Sequence, residues 1–344
     1  MSWFNTSGHE DIHTLWSRFR FYRNISGMSF YDRAEPKKLS SVMSDTDKTL
    51  EKNGFHKNTS TDRISMLSYS EKQYTEESFI DSVLPHALYF NEPCSLSISV
   101  GGRDFFCIQS VLCGLCADEC YNIASEAELL LDSEFDLAYS EKFGYLSPIP
   151  AHTGQGIEIS AALFLPALAK KNKIESLKNI LCRSSIELYP MVTYESNPGD
   201  LYILNYIPKS GMGEETSVTY FNNIAEYIIS YEKEYEHSVY GDNITELSDP
   251  ARRAFGTMEY AGKIDEFEFL CLFSDLRLCL ATGANKDDKI LGKMSVRDLN
   301  GILAQSLSAS LIANAGVKPL NIGECNSLRA NILKDFAVSL KESV

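Results

Sequence analysis

The chain has 344 residues, 44% of them hydrophobic, and carries 32 Lys and Arg against 47 Asp and Glu, a formal net charge of −15. That length exceeds what one core usually supports, so two domains are expected. The acidic balance, with no sustained basic stripe, argues against a nucleic-acid partner and against an anionic membrane surface.

In chain order, Trp16 to Phe30 (WSRFRFYRNISGMSF) supplies Arg18, Arg20 and Arg23, which with Arg103 would make a local basic pocket in an acidic protein. From Glu35 to Asp62 the chain is rich in Ser, Thr, Lys and Asp and reads as a surface loop or partly disordered insertion. Ser95 to Val100 alternates as a strand should. It runs into Gly101, Gly102, Arg103, Asp104, Phe105, Phe106 and Cys107. Cys113 and Cys116 form a CxxC, with Cys120 close behind and Cys107 just before. A zinc site would need a second pair at suitable spacing, and His152 is the only obvious outside ligand. The preferred reading is therefore small, semi-buried residues at a helix start, with no metal. The nine cysteines show no compact disulfide framework, no signal-peptide pattern opens the chain, and the longest apolar run, near Ala161 to Ala169, is far short of a membrane span. A cytoplasmic protein is expected.

Phe143 to Pro166 (FGYLSPIPAHTGQGIEISAALFLP) contains a glycine-rich turn of the kind that cradles phosphate through backbone amides. It lacks a P-loop Lys or a GxGxxG after a strand, so alone it says little. Leu201 to Ile207 is rich in β-formers. Val218, Phe221, Ala225, Ile228 and Ile229 repeat at helical spacing, as do Val296, Leu299, Leu303, Leu307 and Leu311; both stripes read as core or dimer contact. Between them, near Tyr240 to Asp249, GDNITELSDP breaks the helical pattern and marks a boundary.

Taken together these segments resemble the ATP:guanido phosphotransferases, in particular the bacterial protein-arginine kinase branch. Phe143 to Pro166 resembles the catalytic core, Trp16 to Phe30 the motif that supplies two phosphate-binding arginines, and Ser95 to Leu115 the strand leading into the family's NEEDH line. Gly199 to Ile207 resembles GNLYQISNQI, and Leu247 to Ile264 and Leu272 to Gly283 extend the likeness into the last third. The resemblance implies an α+β fold: a guanido kinase-like catalytic domain over residues 1–242, an antiparallel sheet flanked by helices, then a small helical domain over 243–344 that in the family dimerises and reads phosphoarginine. It implies Mg-ATP as cofactor if the protein is active. A homodimer is the implied assembly, with a zinc-finger activator protein and a Clp-type unfoldase as partners.

Matched residue by residue, the chemistry is depleted. Arg18 and Arg20 stand at phosphate-binding arginines, with Arg183 a further candidate. Two more such positions hold Cys107 and Glu158. Arg103 replaces the carboxylate that orients and deprotonates the guanidinium, Asp104 is kept beside it, and Phe105 takes the place of a His. Ile149 replaces the reactive Cys, and Glu187 is the nearest match to a carboxylate on a mobile loop. At the phosphoarginine reader, Cys325 and Asn326 fall on the first two positions and Arg329 close to the third.

A guanidinium has a pKa above about 12, so a kinase acting on it needs carboxylates that bind it and take a proton. Arg103 has no acceptor lone pair and repels the substrate. Opposite charges about 4 Å apart are worth roughly 4 kcal/mol at an effective dielectric near 20, so Glu158 in place of an Arg turns attraction for a polyphosphate into repulsion. Two classes of function follow. One is a non-catalytic relative that acts as a regulatory or scaffold protein in protein quality control. The other is a divergent ATP-dependent kinase acting on arginine or a small guanidino compound, with Asp104 or Glu158 as acceptor carboxylate. A third idea is a sensor of some other small ligand in the remodelled cleft.

Overall fold

The computed structural model describes residues 3–30, 33–58, 87–91, 94–192, 197–209, 211–241, 246–308, 310–311 and 320–342. The first strand is β1 (Thr14–Arg23), buried along its whole length. Helix α1 (Pro36–Lys52) follows, then β2 (His56–Asn58), β3 (Ala87–Phe90), β4 (Leu96–Val100) and β5 (Phe106–Cys113). Helix α2 (Ala117–Glu134) leads to a small hairpin of β6 (Tyr139–Ser140) and β7 (Gly144–Tyr145), and then to β8 (Ile157–Phe164). Helices α3 (Pro166–Lys170) and α4 (Ile174–Leu181), strands β9 (Ile186–Pro190) and β10 (Leu201–Tyr206), and the long α5 (Glu214–Tyr240) complete this part. The last third is helical: α6 (Ser248–Tyr260), α7 (Glu266–Thr282), α8 (Val296–Ser306) and α9 (Ile322–Glu342).

Among the described residues the main sheet has eight strands in the order β2-β3-β4-β5-β1-β8-β10-β9, every pairing antiparallel. The α+β expectation holds, and the strands anticipated at Ser95 to Val100 and Leu201 to Ile207 are β4 and β10. The stretch from Glu35 is a correction. Instead of a loop it forms α1, because Leu39, Met43, Thr46 and Leu50 recur every three to four residues and are all buried. A polar composition hid a helical period, and an amphipathic face needs only those few positions. The rest of the expected insertion, from residue 59, lies outside the described residues, as does the middle of the Tyr240 to Asp249 boundary.

Strand alternation divides the interior in two. Phe19, Phe21, Ile108, Ile159 and Leu204 face one side, under α1, α2, α4 and α5, where they meet Leu39, Ala124, Leu177, Phe221 and Ile228. Trp16, Val111, Ala162, Phe164 and Ile203 face the other side and pack against Ala254, Phe269, Phe273, Leu299 and Leu333 of the C-terminal helices. Arg277 binds the last third to the start of β1: it is wholly buried, donates Nε to the Ile12 carbonyl at 2.9 Å and Nη1 to Asn300 Oδ1 at 2.9 Å, and lies over the Phe164 and Phe273 rings. The C-terminal helices thus cover the apolar end of their sheet face. The same face turns polar toward the other end of β1. Among the described residues no helix is long and apolar enough to cross a membrane.

Candidate functional site

Strand register builds the polar end of that face. Across β1 and β8, Arg20 pairs with Glu158 and Arg18 with Ser160; across β1 and β5, Arg20 sits opposite Gln109 and Tyr22 opposite Cys107. Residues directly opposite in an antiparallel pair share a face, so the even-numbered side chains of β1 meet those partners. Arg18 donates Nε to Ser160 Oγ at 2.9 Å, and Arg20 donates Nε to Gln109 Oε1 at 2.6 Å. Arg20 Nη1 lies 3.6 Å from Glu158 Oε2, and the Tyr22 hydroxyl donates to the same carboxylate. Burial pushes Glu158 up, but Arg20, Arg18 and the Tyr22 hydroxyl outweigh it and hold the carboxyl below its ordinary value. Burial, reinforced by Glu158, pushes the Tyr22 phenol well up. Arg18 is pulled down by burial and by its neighbour Arg20.

A second cluster borders the first. Asp104 is buried in the turn between β4 and β5; its Oδ1 accepts from Asn24 Nδ2 at 2.7 Å and from Ser147 Oγ at 2.6 Å. Its Oδ2 lies 2.7 Å from His152 Nδ1. The His152 ring in turn stacks on Tyr22, with centroids 3.6 Å apart and planes 7° from parallel. The turn that delivers His152 depends on Gly156, whose φ is +62° and whose carbonyl accepts the Tyr22 amide at 2.8 Å. A Cβ there would come within 2.7 Å of Arg23 Nη1 and 2.8 Å of the Tyr22 carbonyl. Beside this turn a cavity of about 700 Å³ is lined by Pro150, Thr153, Ser185, Glu187, Ile207 and Lys209, among others.

The structure gathers some anticipated residues and scatters others. Arg18, Arg20, Cys107 and Glu158 share one face, and Asp104 borders them. Glu187 is exposed on the edge strand β9 and lines the cavity, whereas Arg183 is exposed in a 3-10 turn, Cys182–Ser184, outside both clusters. Arg103 is exposed, next to the buried Asp104. One expectation is corrected. Arg23 does not join a basic pocket, because an odd position of β1 points to the opposite face. There it is paired with Glu128 at 2.8 Å, lies 3.5 Å over the Tyr145 ring, and donates to the carbonyls of Gln155 and Gly156. Glu158 is buried and seated on Arg20.

At the reader positions, Arg329 is fully buried and spends its donors on the Ser306 and Ile264 carbonyls, Asn326 Oδ1 and Ser308 Oγ, at 2.6 to 3.1 Å. Cys325 is buried. The thiol of Cys116 contacts the Cys113 carbonyl, His152 turns to Asp104, and among the described residues no group of three His, Cys, Asp or Glu could hold a metal. The sequence reading missed Tyr22 and Gln109, and it weighed His152 only as a zinc ligand. Tyr22 had a signal, since it lies two residues beyond Arg20 on an alternating strand and must share its face. The proximity of His152 to Asp104 had none. A nucleoside triphosphate with its magnesium does not fit this arrangement, because a buried carboxylate already occupies the Arg20 guanidinium that would meet phosphate.

Residues 36–235 match the model of the ATP:guanido phosphotransferase C-terminal catalytic domain. The protein-arginine kinase of Clostridium acetobutylicum is 25% identical over 318 residues, covering 90% of this chain and 92% of that protein. That of Symbiobacterium thermophilum is 27% identical over 341 residues, covering 96% and 94%. Among solved structures, lombricine kinase aligns with a TM-score of 0.56 at 14% identity over 68% of this chain and 70% of its own. The substrate-free duplicated taurocyamine kinase of Schistosoma mansoni aligns with a TM-score of 0.52 at 15% identity, over 68% of this chain and 33% of its own. These two likenesses speak for the fold.

Proposed function

The chain belongs to the ATP:guanido phosphotransferase family, and on that premise we propose that it has lost phosphoryl transfer to arginine and acts as a regulatory or scaffold protein in protein quality control. One observation carries the reading. Asp104, the carboxylate kept beside the position where the reaction needs one, is buried and accepts from Asn24, Ser147 and His152. A guanidinium keeps its proton at neutral pH unless a carboxylate within hydrogen-bond reach both binds it and accepts the proton. Freeing Asp104 for that role would take the acceptor from the buried Asn24 and from the half-buried Ser147 and His152. Arg103 beside it is a cation with nothing to accept a proton. Function then rests on contacts with other proteins, and a Clp-type unfoldase, a zinc-finger activator protein and a second copy of the chain are the partners to seek by co-purification.

Incubating the purified protein with Mg-ATP and an arginine-rich protein substrate tests this. Mass spectrometry under conditions that preserve acid-labile phosphoramidates should detect no phosphoarginine. Turnover that disappears in Arg18→Ala would overturn the proposal. The rival reading, a divergent ATP-dependent kinase, has one observation in its favour: Glu187 presents an exposed carboxylate to the cavity next to the His152 turn. Phosphoarginine formation lost in Glu187→Gln would establish that alternative.

A further inference from the structure

Five side chains run in a line across the polar end of the sheet face, each fixed by the next. Asp104 is anchored by two neutral donors and holds His152; His152 lies flat on Tyr22; Tyr22 donates to Glu158; Glu158 lies on Arg20. The chain of contacts spans two strands, β1 and β8, and two turns. Its members are nearly all buried: Tyr22 is 6% exposed, Glu158 9%, Arg20 5% and Asp104 5%.

We propose that Tyr22 and His152 are specificity-determining positioning residues that keep the Glu158 carboxylate on Arg20 and so close this face to polyphosphates. The proposal extends the loss of arginine phosphorylation to the nucleotide side of the cleft, and it stands on a different cluster. A Glu side chain has three rotatable bonds, and a 3.6 Å contact with Arg20 does not by itself keep the carboxylate in place against an incoming phosphate. The phenol supplies what the ion pair lacks, a charge-assisted hydrogen bond from a group that is itself held. Tyr22 is held because its ring lies flat against an imidazole at stacking distance, and the imidazole is held because Asp104 binds it. An anion approaching Arg20 must therefore displace a carboxylate held by both the Arg20 guanidinium and the Tyr22 hydroxyl. A polyphosphate, whose affinity depends on several cations at once, loses most from that.

Binding of Mg-ADP and of inorganic tripolyphosphate, measured by titration calorimetry, tests the idea in four proteins: the unaltered chain, Glu158→Gln, Tyr22→Phe and His152→Asn. Tyr22→Phe keeps the stacked ring and removes only the hydroxyl; His152→Asn keeps a donor for Asp104 and removes only the ring. Glu158→Gln should bind tripolyphosphate at least about tenfold more tightly than the unaltered chain, because the local charge rises by one. Tyr22→Phe and His152→Asn should gain affinity in the same direction by a smaller factor. A gain in binding is not produced by a loosened fold, which separates positioning from a merely structural role. If Glu158→Gln gains affinity while Tyr22→Phe and His152→Asn bind no better than the unaltered chain, the positioning role is overturned. If Glu158→Gln gains nothing, the closure itself is overturned. Either result leaves the loss of arginine phosphorylation standing, since that is judged by phosphoarginine formation alone.

Discussion

Glu232 of α5 offers a sharp test of the energetics, because it is a wholly buried acid at the junction of the sheet and the helices. Its Oε1 accepts the Ala167 amide at 2.6 Å and its Oε2 the Leu168 amide at 2.9 Å, at the start of α3. Burial pushes its pKa up to about 8, against the pull of those two amides, with Glu236 and Asp200 adding to the rise. A folded-state value raised from 4.5 to about 8 means that the native protein holds a proton the unfolded chain gives up. The stabilisation is complete below about pH 4.5 and is lost as pH climbs through 8, by at most about 5 kcal/mol at 1.36 kcal/mol per unit. Glu232→Gln removes the titration and puts an NH2 group against one of the amides, a pH-independent cost of about 1–3 kcal/mol. Urea unfolding at pH 5, 7 and 9 should therefore show the variant less stable than the unaltered protein at pH 5, with the gap closing or reversing by pH 9. A gap that stays constant from pH 5 to 9 would refute the reasoning and mean that the amide bonds keep Glu232 ionised throughout.

Two further outcomes are expected. Arg329→Met should lower stability by about 3–5 kcal/mol in chemical unfolding, since two buried carbonyls and two side-chain oxygens lose their donor together, whereas a surface reader arginine could be removed at almost no cost. Gly156→Ala should lower the melting temperature and disturb the Tyr22 environment, read by tyrosine fluorescence or ring chemical shifts. The added methyl meets Arg23 Nη1 and the Tyr22 carbonyl at a residue with φ of +62°. An unchanged melting temperature would mean that the turn relaxes freely.

Much of the architecture was legible before any coordinates. The stripe at Val218, Phe221, Ala225, Ile228 and Ile229 is the buried face of α5; of the second stripe, Leu299 and Leu303 are buried on α8 and Val296 is half-buried, while Leu307 and Leu311 are buried beyond the helix end at Ser306. Periodicity reports burial well when the apolar positions are dense. It failed at α1, where four buried positions are dispersed among Lys, Ser and Asp. The site was legible as a set of exchanges along matched motifs, but not as a geometry.

By itself, the sequence determined which side chains are available: Glu158 for a phosphate arginine, Arg103 for a carboxylate, and a chain of β1 residues whose alternation commits Arg18, Arg20 and Tyr22 to one face and Arg23 to the other. Only the tertiary structure decided what those groups do to one another. Whether a Glu beside two arginines repels a ligand or neutralises a partner depends on a strand register linking residues 20 and 158, and whether Asp104 is a base or an anchor depends on a turn that brings residue 152 to it. Electrostatic and hydrogen-bond energies fall off within a few ångströms, and separation along the chain carries no information about such distances.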